Sequence, residues 1–131
     1  MRVLGVISEE LREKVLSSVQ ENRDDIVGLL SKLISFETPC PPGKNTSQAQ
    51  SWIASWMRAR GFETDLFEVY PDEPDVVGVL RGRGQGRSLI LNGHVDVAEI
   101  RPGEAWTHNP FEPHVEDGKV FGRGAFDMKG G

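Results

Sequence analysis

A chain of 131 residues, 37% apolar and 27% charged, has room for one modest domain with a real core and reads as a soluble protein rather than a disordered one. A net charge of −5 leaves no basic stripe to offset phosphates, which excludes a general nucleic-acid binder, and no run is long enough to cross a bilayer. The single cysteine, Cys40, rules out an internal disulfide and suits a reducing cytoplasm, and the opening Met-Arg-Val-Leu-Gly-Val-Ile is too short for a secretory signal.

Ser8 is placed to cap a helix whose first turn carries Glu9 and Glu10. Leu11, Val15 and Val19 recur at steps of four, and Ile26, Leu30, Leu33 and Ile34 continue the pattern. Asn22 caps the second segment or marks a kink between the two. Both stripes predict packing faces. Residues 37–44, Glu-Thr-Pro-Cys-Pro-Pro-Gly-Lys, predict a loop, since three prolines and a glycine exclude helix and central strand. Cys40 has no neighbouring histidine and no second cysteine, so it is read as a loop residue without chemistry.

Residues 45–60 predict an amphipathic helix with Ala49, Trp52, Ile53, Trp56 and Met57 on its core face. Asn45 with Gln48, or Ser47 with Gln50, gives it a capping-box start, and Gly61 a natural end. Residues 62–70 alternate as a strand with a slip at Leu66-Phe67 that predicts a bulge, residues 71–74 turn, and residues 76–80 form the next strand. The glycine-rich stretch 81–87 lacks the Lys-Ser/Thr ending of a phosphate loop and precedes a strand instead of a helix, so it predicts a hairpin turn.

Ser88-Leu89-Ile90-Leu91 is an apolar run of the kind that fills a buried strand, and it stops at Asn92-Gly93. His94 and Asp96 follow, and in an extended chain residues i and i+2 point to one side. A strand delivering both at its carboxyl end fits a ligand site at the margin of an α/β sheet. Residues 97–113 are irregular, and residues 115–121 predict a hairpin turning at Asp117-Gly118. That hairpin leads back through Gly122-Arg123-Gly124 to Asp127. The expected architecture is therefore α/β, a mixed sheet flanked by helices.

On residue type alone, His-x-Asp is as readily a structural hydrogen-bonded pair as a site. The strand end and the glycine-lined approach of Asp127 favour a site. Imidazole with carboxylate suits zinc, with cobalt or manganese as alternatives, although these groups do not complete four-fold coordination.

The motifs Leu91-Asn92-Gly93-His94-Val95-Asp96-Val97, Trp106, Asn109-Pro110-Phe111, Glu116-Asp117-Gly118-Lys119-Val120-Phe121-Gly122-Arg123-Gly124 and Asp127-Met128-Lys129-Gly130-Gly131 occur in that order. Together they resemble the di-zinc amidohydrolases and metallopeptidases, the family of acetylornithine deacetylase, succinyl-diaminopimelate desuccinylase, aminoacylase and carboxypeptidase G. The loop over 34–43, the Trp52 helix, Gly61-Phe62-Glu63 and Leu80-Arg81-Gly82 extend the resemblance over nearly the whole chain. It implies the N-terminal part of a zinc-exopeptidase catalytic domain, acting on a linear amide of a small N-acyl amino acid or peptide-like substrate in amino-acid metabolism. It further implies that His94 ligates one zinc and that Asp127 bridges two. Asp96 becomes the catalytic carboxylate that orients the His94 imidazole and raises its basicity. The paired metals of the family activate a water, and a glutamate serves as general base.

The family's Glu-Glu pair, a further acidic ligand, a late histidine and a lid or dimerisation domain all follow the Asp127 motif, and none falls within these 131 residues. The expectation is a partial catalytic domain, inactive alone. Glu37, Glu99, Glu104 and Glu116 are not assigned as the base, and His108 and His114 are read as surface or packing residues. The alternative is an interaction module or half of a complemented enzyme, because an incomplete sheet offers an exposed edge to another chain or to a second copy. The look of the Trp106 to Phe111 loop favours an acetylornithine or succinyl-diaminopimelate type of substrate.

Overall fold

The computed structural model describes residues 7–43, 45–84 and 86–131. Most of the opening heptapeptide, Lys44 of the proline loop and Gln85 of the glycine-rich turn lie outside the described residues.

Helix α1 (Glu9–Glu21) begins where expected, with the Ser8 hydroxyl accepting from the Leu11 amide at 3.3 Å. Helix α2 (Arg23–Ile34) follows after a break at Asn22. The Asn22 side chain does not cap α2. Its amide nitrogen donates to the Ser18 carbonyl at 2.7 Å, a carbonyl that the Asn22 backbone amide also reaches at 3.1 Å. The expected packing face on α1 is also corrected: the helix buries no residue, and Leu11, Val15, Leu16 and Val19 are each more than half exposed. Because α2 continues from its end instead of crossing it, the apolar stripe of α1 covers little. α2 does reach the core, where Ile34 is fully buried.

Helix α3 (Ser47–Arg58) has Thr46 at its start with no side-chain cap, so neither capping box forms. Asn45 is drawn away, donating to the Pro39 carbonyl at 3.2 Å. At the other end the Phe62 amide returns to the Met57 carbonyl at 3.2 Å, closing the helix around Gly61 as expected. Ala49, Gln50 and Ala54 are buried, and the Trp52 ring meets Phe36 with centroids 5.9 Å apart.

α3 packs on an antiparallel pair, β2 (Glu63–Tyr70) and β3 (Glu73–Val79). Leu66 and Phe67 pair in register with Val76 and Asp75, so the expected bulge there is absent and the irregularity lies between Glu68 and Tyr70. The turn is shorter than four residues. Asp72 takes a positive φ of 67°, and Glu73 and Pro74 already belong to β3.

The proline loop is corrected in part. Pro39–Cys40 (β1) pairs in parallel with Val97–Ala98 (β4). Proline fits because this short pairing draws on the neighbouring carbonyl: the Val97 amide donates to Thr38 at 2.9 Å. Thr38 is fully buried and its hydroxyl donates to the Val95 carbonyl at 2.6 Å. Replacing Thr38 with valine keeps the shape and deletes that bond. We expect a loss of about 1–3 kcal/mol in urea unfolding, and an unchanged midpoint would show the bond to be idle.

Residues 88–91 do not form the expected buried strand. They take no regular structure, and Leu89, Ile90 and Leu91 are exposed by 81%, 87% and 87%. A strand exists only with a neighbour to complete its ladder, and none of the described residues pairs with this segment. The last hairpin does form, β5 (His114–Glu116) with β6 (Lys119–Phe121), and Asp117 and Gly118 at φ 49° and 73° make the expected type of turn. The chain is thus α/β, and among the described residues the strands pair as three two-stranded ladders. No helix among the described residues is long and apolar enough to cross a membrane.

Candidate metal centre

The site grows from the seam between β1 and β4. Anchored by Thr38 on its Val95 carbonyl and its Val97 amide, the chain runs extended through residues 94–97. Alternation then places His94 and Asp96 on one side. His94 Nδ1 lies 3.1 Å from an Asp96 carboxylate oxygen and 3.1 Å from the Asp96 carbonyl oxygen. Both neighbours are acceptors and favour the tautomer with its proton on Nδ1, which leaves the Nε2 lone pair free.

Asp127 arrives from the opposite direction on the return that follows β6. Three backbone bonds hold this turn: Arg123 to the Pro110 carbonyl at 2.7 Å, Ala125 to Gly122 at 3.1 Å, and Lys129 to Gly124 at 2.9 Å. Its effect is to set an Asp127 carboxylate oxygen 3.3 Å from His94 Nε2. All three residues singled out from sequence are therefore brought together. The His94 and Asp96 side chains are each 47% exposed and Asp127 78%, so the site is open to solvent.

Two lone-pair donors at that distance need a positive species between them. Zinc bonds of about 2.0–2.2 Å at a tetrahedral angle set neighbouring donors about 3.3–3.5 Å apart. The observed separation matches this bite, so the residues fit two of the four positions around such a cation. No group of three or more histidine, cysteine or acidic side chains able to hold a metal occurs among the described residues.

Sequence reasoning missed Lys129. Its side chain is buried, and its ammonium donates to the Phe36 carbonyl at 2.8 Å. Burial pushes its pKa down to about 8, and the Asp96 carboxylate opposes that shift. The only cue was a lysine inside the Asp127-Met128-Lys129-Gly130-Gly131 motif, which carries no burial signal. Thr38 was missed for the same reason.

The glutamates set aside earlier are occupied elsewhere or lie apart. Glu104 pairs with Arg123 and accepts from the Trp106 indole at 3.1 Å and the Arg101 amide at 3.2 Å. These hydrogen bonds, with Arg123, hold its carboxyl below the usual range. Glu116 lies 3.6 Å from His114, which stacks on His108 with centroids 4.4 Å apart. Beside Phe126, the neighbour of Asp127, opens a cavity of about 250 Å³ walled by Trp106, His108, Asn109, Phe121 and Ala125.

Comparison with known proteins places this geometry in context. Residues 90–131, which carry all three site residues, match the model of peptidase family M20/M25/M40. The chain is 49% identical over 115 residues to N-formyl-4-amino-5-aminomethyl-2-methylpyrimidine deformylase of Bacillus subtilis, covering 86% of this chain and 27% of that protein. Its counterpart of the same name in Halalkalibacterium halodurans is 43% identical over 91% of the chain and 28% of its own length. A succinyl-diaminopimelate desuccinylase of Stenotrophomonas maltophilia is 35% identical over 80% of the chain and 26% of its own length. The chain thus spans about a quarter of the length of the curated relatives it matches. Residues 90–131 thus carry the pattern of peptidase family M20/M25/M40, and the similarity to these relatives extends over most of the chain.

Proposed function

We propose that this chain contributes one portion of a metal-dependent amidohydrolase site, with His94 and Asp127 as cation donors and Asp96 as the carboxylate that fixes the His94 ring. The observation that carries this reading is the 3.3 Å separation of His94 Nε2 and the Asp127 oxygen, the bite of a tetrahedral cation. Zinc is the cation best suited to this donor pair, and Asp127, with a second oxygen to offer, is the residue to bridge a second ion. When bound, such a cation supplies Lewis acidity for an amide carbonyl and acidifies a water. The residues themselves orient it. Asp96 holds the proton on Nδ1 so that Nε2 keeps its lone pair, and the Gly122 to Lys129 turn holds Asp127 opposite.

For the substrate we favour a small N-acyl amine, and within that class an N-formyl amine on a flat heterocycle. Two of the relatives named above are deformylases of an aminomethylpyrimidine. The aromatic-walled cavity beside Phe126 has the size and apolar character for a single planar ring. The desuccinylase preference drawn from the loop stays as the runner-up, supported by the similarity to a succinyl-diaminopimelate desuccinylase. We place the reaction in the cytoplasm, consistent with a lone, exposed Cys40.

Two donors leave a cation short of its coordination, so the 131 residues are expected to bind Co²⁺ weakly and to hydrolyse no formamide or N-acyl amino acid unless further donors are supplied. Cobalt titration followed by visible absorption, with hydrolysis assays alongside, tests this. Absence of any cobalt signal that depends on His94 would end the reading, and turnover by the 131 residues alone would end the claim of incompleteness.

A second reading, a module that pairs with another polypeptide or with its own copy, is favoured by the unpaired, exposed segment at residues 88–91. Concentration-dependent association in light scattering, lost on replacing Ile90 with lysine, is its expected signature. A concentration-independent monomer would remove it.

A further inference from the structure

Arg123 is a charge that the proposed chemistry leaves without a role. It stands in the return that carries Asp127, and its side chain is only 20% exposed. From there it reaches the irregular loop over residues 99–112. Its backbone amide donates to the Pro110 carbonyl at 2.7 Å, and its guanidinium donates to the Glu99 carbonyl at 3.4 Å and to the Glu104 carboxylate. The same guanidinium lies 5.1 Å from the centre of the Trp106 ring. Glu104 in turn accepts from the Trp106 indole at 3.1 Å and from the Arg101 amide at 3.2 Å. The indole therefore hangs on Glu104, and Glu104 on Arg123. Arg123 Nε is buried with no acceptor among the described residues, a cost that a guanidinium placed for its own hydrogen bonding would avoid.

The cavity of about 250 Å³ lies between the two segments that Arg123 joins. Trp106, His108 and Asn109 come from the loop, while Phe121, Ala125 and Phe126 come from β6 and the return. We infer that Arg123 is a positioning residue that sets the width of this cavity: through Glu104 it holds the Trp106 wall against the return, and so fits the space to a flat ring beside Asp127. The inference deepens the reading of the cavity as the seat of the substrate's ring, and rests on it for the ligand alone. Width matters because dispersion falls steeply with distance. A gap of about 0.5–1 Å beyond contact forfeits roughly a quarter to a half of the attraction. An ion pair that served stability alone would act on any ligand equally, whatever stands at position 106.

The test titrates 4-aminopyrimidine, a flat heterocyclic amine, into the protein and into Arg123→Met, Trp106→Leu and the double variant, each confirmed as folded by circular dichroism. The readouts are probe affinity, followed by the amide shift of Phe126, and the order of the Trp106 indole N–H, from its ¹⁵N heteronuclear NOE. In the parent protein the indole should be as ordered as the backbone of β6, and the probe should shift Phe126 saturably. Arg123→Met should loosen the indole and weaken the probe roughly tenfold, within what stacking a base on an aromatic side chain contributes. With leucine at 106 the same change should leave probe affinity where it was. An indole or an affinity unchanged in folded Arg123→Met, or an equal loss of affinity with leucine at 106, overturns the inference. Should Arg123→Met not fold, Glu104→Gln decides in its place. It keeps an acceptor for the indole and removes the charge that holds the guanidinium, so the indole should loosen, and unchanged order overturns the inference. Should the parent protein bind no 4-aminopyrimidine, the ring reading of the cavity falls, and the order of the indole still decides whether Arg123 holds Trp106.

Discussion

Replacing His94 with alanine is expected to abolish the weak Co²⁺ binding, and to lower any amide hydrolysis by a protein carrying this chain about 10³-fold or more, while leaving the fold unchanged. The size follows from what is removed. A bound cation contributes several kcal/mol to such a reaction, and each 1.36 kcal/mol is a factor of about ten. With the imidazole gone, Asp127 is the only one of the two donors left. A single carboxylate, 78% exposed, holds a divalent cation against water poorly. The fold is spared because the His94 side chain is 47% exposed and its bonds run to Asp96 and Asp127, which lie at the surface with it. Surface changes of this kind stay within about 0.5 kcal/mol. Asp96→Asn should be milder, about 10–100-fold in affinity, since it leaves both donors and disturbs only the ring's orientation. Isothermal titration with cobalt and thermal unfolding separate the two effects. If His94→Ala binds cobalt as the parent does, the imidazole is not a donor.

What could be foreseen from sequence and what could not divide along the range of the forces involved. His94 and Asp96 share a side because extended chain alternates, a rule that needs only two residues. Asp127 returns to them through a hairpin whose Asp117-Gly118 turn is equally local. Ser8 caps α1 for the same reason. Residues 88–91 failed because apolar content proposes a strand, while the ladder must be completed by another segment that sequence pattern cannot name. The α1 stripe failed likewise. Its spacing is helical and the helix forms, but burial of Leu11 and Val15 requires a crossing partner. Asn22 shows a finer limit: a side-chain amide offers both a donor and an acceptor, so its position between two helices does not say which one it caps. Lys129 was illegible because lysines are almost always exposed, and only the seam between Phe36 and Asp96 makes this one an exception.

That seam has little tolerance, which leads to the second large effect. Gly124→Ala is expected to destabilise the fold by about 2–5 kcal/mol, from two separable costs. The residue sits at φ 86°, where an L side chain loses about 1–2 kcal/mol. A Cβ there would also stand 2.6 Å from Val97 Cγ1 and 3.1 Å from Lys129 Cδ, an overpacking that costs about 1–3 kcal/mol. Val97 cannot simply retreat, because it is buried, pairs with Pro39 and donates its amide to Thr38. Gly103 is the control. Its φ of 92° carries the conformational cost, but nothing lies within 4 Å of a Cβ placed there, so Gly103→Ala should lose only the first share. Urea unfolding of the two variants isolates the contact, and equal losses would show that Val97 yields freely. The same push should displace the turn ahead of Asp127 and spoil the 3.3 Å match to His94, so cobalt affinity falls in Gly124→Ala and holds in Gly103→Ala. In this way the close approach of the 124 backbone to Val97 sets the fold and the cation site at once.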